Sequence, residues 1–147
     1  MNILTVENIK NISIDKLLFK HHERVLQINF YSPECFWDNE DLLKTLSEKF
    51  VFGFIVKENT SGNIIGFVIF KFTHFTEMLN LVIHPDYQRR GVGTFVLDFL
   101  KQNYEQSTGG CVIEYKLQER NLTGHLFLKS NCFKSNREYR FCFDSSF

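Results

Sequence analysis

Apolar and polar positions along this 147-residue chain switch repeatedly between a two-residue and a helical period, which predicts strands alternating with helices. Asn2 to Val6 reads as a short strand. Ser13 is placed to cap a helix whose apolar positions Ile14, Leu17, Leu18, Val25 and Ile28 recur at helical spacing before Pro33. Asp38 caps a second helix: Glu40 and Asp41 suit the positive end of its dipole, and Leu42, Leu43 and Leu46 supply its buried side. Phe50 to Lys57 and Ile64 to Thr73 flank the polar turn Asn59 to Asn63 as the arms of a hairpin, and Met78 to His84 is the next strand. Val96, Phe99 and Leu100 stripe the following helix. Gly109 and Gly110 turn the chain into a strand over Cys111 to Leu117, a helix spans Leu122 to Ser130, and a last strand falls within Arg137 to Phe143. No linker, repeat or low-complexity tract interrupts the pattern, so residues 1–147 read as one domain of the α/β class, long enough to bury its own core.

The segment Leu81 to Leu100, LVIHPDYQRRGVGTFVLDFL, carries the strongest chemical signal: strand, proline stop, a turn of two arginines and two glycines, then helix. Gly91 and Gly93 permit backbone angles closed to other residues, so N–H groups between about Arg90 and Thr94 turn inward onto one point. The helix aims its unpaired donors and its positive end at the same spot, which suits a phosphate or pyrophosphate, and Arg89 and Arg90 add charge beside it. A nucleoside-triphosphate loop needs a lysine after its last glycine, where Thr94 and Phe95 stand. A dinucleotide fingerprint needs a third glycine where Val96 stands.

Charge narrows the partners. Seventeen basic residues balance seventeen acidic ones, so no overall field recruits nucleic acid or an anionic membrane, and any anion site is local. The first fifteen residues lack both a basic leader and a long apolar run. No later segment approaches the ~20 apolar residues of a membrane span, which leads us to expect a soluble, cytoplasmic protein. Cys35, Cys111, Cys132 and Cys142 lack the paired spacing of zinc sites or redox dithiols and read as free thiols. The histidines form no ligand motif, so no metal is expected. Seventeen phenylalanines and no alanine make large rings the core's volume and leave close approach of elements to glycine.

The turn formed by Gln88, Arg89, Arg90, Gly91, Val92 and Gly93 resembles the Gln/Arg-x-x-Gly-x-Gly/Ala motif of the GNAT acyltransferases. The element order, βααβββαβαβ, resembles that fold, a central mixed sheet flanked by helices, over essentially the whole chain. The ribosomal-protein-alanine N-acetyltransferase branch is the most similar: Trp37 before a polar helix start, the strand and turn LNLVIHPDYQRRG, and the segment Asn121 to Phe133 all match it.

The resemblance implies that the anion is the pyrophosphate of acetyl-CoA, held by Gln88 to Thr94, and that the backbone of Leu81, Val82 and Ile83 pairs with the pantetheine arm. It also implies that the strands at Met78–His84 and Cys111–Leu117 diverge, leaving backbone groups for the arm, and that an N–H near Val82 faces the developing oxyanion. Asn121 either holds the arm or only opens its helix.

Four departures from the branch bear on the site. Its general-base glutamate is replaced by Lys116. Glu77 aligns with the catalytic glutamate of the histone-acetyltransferase branch and ranks first as base, with Glu114 second; each also reads as a solvated strand carboxylate. Its tyrosine that reprotonates the leaving thiolate falls at Leu128 and the usual glycine falls at Cys132; Tyr115 and Tyr139 are the conceivable substitute donors, though each reads first as packing or facing solvent. The chain stops soon after Phe143, where the branch usually runs through a further strand lining the acceptor cleft; a truncated end would leave a sheet edge exposed, from which pairing with a second copy, as in a homodimer, is the expectation.

An α-amine, with a reference pKa of about 7.7 to 8.0, is roughly 10 to 20% neutral at pH 7, whereas a lysine near ~10.4 is neutral about once in 2,500 molecules. A protein N-terminal α-amine is therefore the expected acceptor, with a small-molecule amine as the alternative. A coenzyme A-binding sensor without catalysis is the reading from another class.

Overall fold

A computed structural model describes residues 11–105, 109–136 and 138–145. The strand expected at Asn2 to Val6 lies outside the described residues. The first described strand, β1 (Ile12–Lys16), occupies the segment expected to begin a helix. Ser13 is therefore no helix cap: it pairs with Lys57, and its hydroxyl donates to Asn59 Oδ1 at 2.8 Å. Ile12 and Ile14 alternate with Ser13 and Asp15, and five consecutive pairings with a neighbouring strand outweigh the weaker helical spacing.

Helix α1 (His22–Asn29) starts only after a 3-10 turn at Phe19–His21 and buries Val25 and Ile28. Helix α2 (Asn39–Ser47) opens as expected on Asp38, in a reciprocal capping box: the Asp41 N–H donates to Asp38 Oδ1 at 2.8 Å, and the Asp38 N–H donates to Asp41 Oδ2 at 3.1 Å. Leu42 is fully buried, but Leu43, expected beside it, is 40% exposed, because consecutive helical residues point about 100° apart.

The chain continues through β2 (Val51–Glu58), β3 (Ile64–Phe72), β4 (Thr76–Ile83), α3 (Val92–Asn103), β5 (Val112–Lys116) and α4 (Leu122–Ser130). It ends in β6 (Lys134–Ser135), too short to leave a periodic signal, and β7 (Arg140–Asp144). Among the described residues seven strands form one mixed sheet in the order β1-β2-β3-β4-β5-β7-β6, in which only β4 and β5 pair in parallel.

Strand β3 is the spine of the core. Phe67 and Ile69 face α1 and α2 with Leu17, Val25, Ile28 and Leu42, while Val68 and Phe70 face α3 with Val96, Leu97 and Leu100. Gly66 lets β4 lie close, since a β-carbon there would stand 2.8 Å from Val82 O. A bulge in β4 shifts the register between Ile69↔Asn80 and Phe70↔Met78, so Leu79 is the extra residue. Past it, Asn80 turns toward α1, where its buried amide donates to Asn29 Oδ1 at 2.7 Å and accepts from Ser32 Oγ at 3.3 Å. Ser32 Oγ also accepts the N–H groups of Glu34 and Cys35, at 3.1 and 3.2 Å, which fixes the α1–α2 loop over β4.

The parallel pairing has three rungs: Thr76↔Ile113, Glu77↔Glu114 and Met78↔Tyr115. Past Met78 the two strands part.

Candidate functional site

The parting strands open a cleft of about 770 Å³. Leu81 and Ile83 form one wall, Tyr115 and Leu117 the other, with the Gln88–Thr94 turn and the start of α4 closing the far end. Leu81 stands opposite Val68, but its N–H donates to the Tyr115 hydroxyl at 3.0 Å, away from β3. Residues of an antiparallel strand alternate in the direction of both backbone groups. Leu81 and Ile83 thus present N–H and C=O to the cleft. Val82, between them, turns its backbone to β3 and its side chain into the α1–α2 core, so the cleft-facing N–H groups near it are those of its neighbours Leu81 and Ile83.

At the other end, the Gln88 side-chain amide donates to Ile83 O at 2.8 Å and ties the turn to the end of β4. Arg89 (φ 63) and Gly91 (φ 83, the α3 N-cap) are left-handed, a geometry that turns successive N–H groups inward. The first bond of α3 runs from the Phe95 N–H to Gly91 O at 3.0 Å, so the N–H groups of Val92, Gly93 and Thr94 precede it. Arg89 and Arg90 are exposed beside them, and the Arg90 guanidinium lies 5.6 Å from the centre of the Tyr87 ring. Gly93 was expected, like Gly91, to need unusual angles. Only Gly91 does; Gly93 is helical, and its missing β-carbon serves packing, since one would stand 2.8 Å from Phe127 Cζ on α4.

Asn121 opens α4, accepting the Gly124 N–H on Oδ1 at 3.0 Å, and its Nδ2 donates to Glu34 Oε2 at 2.7 Å. Glu34 Oε1 accepts the Gln118 N–H at 2.8 Å. One carboxylate on the α1–α2 loop thus clasps the β5–α4 turn across the cleft mouth. Glu34 was not anticipated, nor were Tyr31, Arg120 and Phe127, which also line the cleft. Arg120, next to the Asn121 that was named, is a polar signal that sequence reading passed over. The partners of Glu34 lie 84 and 87 residues away, beyond any local pattern.

The two carboxylates stand apart from this wall. Glu77 and Glu114 are paired across β4 and β5. Since Met78, Ile113 and Tyr115 point into the α3 core, both carboxylates project from the opposite face of the sheet. Arg140 Nη1 donates to Glu114 Oε1 at 3.0 Å, and this contact pushes the guanidinium further up. Glu77 is exposed and makes no hydrogen bond or ion pair among the described residues.

Lys116 is exposed at the end of β5, and Leu128 is buried in the α3 core. Cys132 holds the left-handed φ (70) that glycine would fill. Tyr139 is exposed, and a hydrogen bond to Glu119 pushes its hydroxyl up. Tyr115 packs, as expected, but its hydroxyl also reaches the cleft, and burial pushes it well above the usual phenol range. Burial likewise raises the Cys35 thiol, which donates to Leu79 O at 3.7 Å.

Among the described residues no three His, Cys, Asp or Glu side chains are grouped as metal ligands, and no helix is long and apolar enough to cross a membrane. A strand edge that still presents the Leu81 C=O and the Ile83 N–H, beside a turn of inward N–H groups, fits a ligand with a diphosphate followed by an extended, amide-bearing arm.

Comparison with known proteins agrees with this geometry. The model of the acetyltransferase (GNAT) family matches residues 15–130. The ribosomal-protein alanine N-acetyltransferase of Escherichia coli superposes with a TM-score of 0.77 at 17% identity, over 92% of this chain and 95% of that one. A PaiA N-acetyltransferase from Thermoplasma acidophilum, solved with coenzyme A, gives 0.71 at 18% identity over 91% and 98% of the two chains. A spermidine N-acetyltransferase variant from Vibrio cholerae gives 0.72 at 14% over 93% and 95%. No curated protein matches the chain.

Proposed function

The chain belongs to the GNAT acetyltransferase family, and on that premise we propose that it transfers an acetyl group from acetyl-CoA to a protein N-terminal α-amine, by direct attack within a ternary complex. The observation that carries this reading is the parting of β4 and β5 beside the Gln88–Thr94 turn. The N–H groups of Val92, Gly93 and Thr94 would hold the pyrophosphate with Arg89 and Arg90 beside it, and the Leu81 C=O and Ile83 N–H, the cleft-facing backbone groups that Tyr115 and Gln88 leave open, would hold the pantetheine amides. Asn121 and Glu34 would close over the arm. Acetyl-CoA supplies the activated acyl carbon; the protein has to place it and accept the amine's proton.

Glu77 is the assigned base, acting through water from the open face of the sheet, because among the described residues its carboxylate makes no hydrogen bond or ion pair and meets Arg140 only through a weaker, longer-range attraction. Glu114 ranks second because Arg140 engages it. An α-amine suits an exposed base, since a fraction on the order of 10% is already neutral at pH 7. The fold shared with the ribosomal-protein alanine N-acetyltransferase supports a peptide acceptor.

One observation favours a second reading: side by side, Glu77 and Glu114 form an acidic pair that suits a small cationic amine. The test is thiol release from acetyl-CoA, with peptides of varied first residue and with small amines as acceptors. Turnover with peptides but not small amines supports the first reading, and the reverse supports the second. Coenzyme A binding without turnover on either class favours a sensor. Glu77→Gln should lower kcat and flatten its rise with pH; an unchanged pH profile would remove Glu77 from the role.

A further inference from the structure

Tyr115 closes the narrow end of the cleft. Its partner Met78 is the last rung between β4 and β5, its ring is 5% exposed within the α3 core, and its hydroxyl crosses the opening to accept the Leu81 N–H at 3.0 Å. That N–H belongs to the free edge of β4, and its hydrogen is already spent on the phenol oxygen. A phenol that accepts one hydrogen bond keeps its own proton to give, and among the described residues no acceptor takes it. The other phenol at the cleft, Tyr31, is half-exposed and packs edge-on against the His84 ring, with centroids 5.1 Å apart.

Resting on the acetyltransferase reading above, we propose that the Tyr115 O–H, backed by the Leu81 N–H, is the hydrogen-bond donor to the thioester carbonyl oxygen as that oxygen gains charge. The amine lone pair forms the new N–C bond while the carbonyl π pair moves onto oxygen, where the Tyr115 O–H meets it. The pair then returns, the C–S bond breaks with its electrons on sulfur, the ammonium proton passes through water to Glu77, and the thiolate takes a proton from solvent.

Tyr115 keeps its proton throughout. Burial, which pushes the hydroxyl far above neutral pH, holds it as a donor. Accepting the Leu81 N–H polarises the O–H further, and a donor already fixed by its packed ring needs little reorganisation when charge appears. The backbone donor is thereby relayed outward by the length of one hydroxyl.

The test is the infrared carbonyl stretch of acetyl-CoA, isotope-labelled at the carbonyl carbon, bound without acceptor to the wild-type protein and to Tyr115→Phe. The wild type should draw the stretch to lower wavenumber and Tyr115→Phe should lose most of that shift. With acceptor, Tyr115→Phe should cut kcat by about 10²-fold, while the Kd of coenzyme A, measured by calorimetry, stays near the wild-type value. An equal stretch in both proteins would overturn the assignment. So would an unchanged or raised kcat, because phenylalanine frees the Leu81 N–H to act directly. Fluorotyrosine at position 115 preserves packing should Tyr115→Phe not fold: a more acidic phenol should move the stretch further down, and no movement would again overturn the assignment. Failure of acetyl-CoA to bind either protein would bring down the acetyltransferase reading itself, an outcome distinct from bound donor with an unmoved carbonyl.

Discussion

Replacing Gly93 by alanine tests whether the anion-binding turn and α4 form one packed unit. The new β-carbon would stand 2.8 Å from Phe127 Cζ and 3.0 Å from Cε1. Carbon pairs rest at about 3.5–4.0 Å, so the ring has to retreat by roughly 1 Å. Phe127 packs against the α3 core, and overpacking of this kind costs about 1–3 kcal/mol. Against that stands the roughly 1 kcal/mol by which alanine exceeds glycine in a helix. The balance leaves Gly93→Ala about 0–2 kcal/mol less stable, a melting temperature lower by roughly 4–8 °C at the upper end.

The sharper quantity is the coupling to Phe127→Leu, which removes the clashing ring atoms. In that background alanine should be neutral or stabilising, so urea denaturation of the four proteins in the cycle should give a coupling of at least about 1 kcal/mol. The affinity for coenzyme A should fall in Gly93→Ala and recover in part in the double variant. Additivity within about 0.5 kcal/mol would refute the reasoning, because it would mean that the ring yields without cost.

Cys132→Gly should raise stability by up to about 1 kcal/mol in denaturant titrations, since φ 70 is open to glycine and strained for cysteine. Glu34→Ala, which removes both clasp bonds, should cost about 1–2 kcal/mol and weaken coenzyme A binding in calorimetry; Glu34→Gln, which keeps one acceptor, should fall between. Stability should also depend on pH through His22, whose 7% exposed ring has an unpartnered Nδ1 and is held below the ordinary imidazole pKa by burial. The unfolded chain then takes up the proton first. This contribution is complete above about pH 6.5 and is lost as pH falls through the lower folded-state value, at no more than about 1.4 kcal/mol per pH unit. Urea midpoints between pH 7 and 5 should be flatter for His22→Leu, with the slope due to His21, lowered likewise, left in place.

What the sequence disclosed and what it withheld divide by distance along the chain. The Gln88–Thr94 turn was legible because proline, two glycines and a helix start act within a few residues of one another. Asp38 and Asn121 were legible as caps for the same reason. Ser13 was misread because Ile14, Leu17 and Leu18 satisfy a helical spacing over a segment whose fate is decided by β2, some forty residues on. Leu81, Val82 and Ile83 were named together, and that Leu81 and Ile83 but not Val82 turn their backbone to the cleft follows from register with β3, a tertiary property. Tyr115 looked like packing, which it is. That its hydroxyl meets Leu81 depends on where two strands separate. Glu34 carried no signal, since its chemistry exists only once distant turns meet.

Three rungs are few. Strands β1 to β4 form one half of the sheet and β5 to β7 the other, and the parallel seam between them is the shortest join among the long strands. Such a seam frays from its open end, so amide hydrogens along its margins should trade with solvent sooner than those of β3. A molecule lying across the gap would act as mortar, and the protein should be mechanically stiffest while it carries its donor.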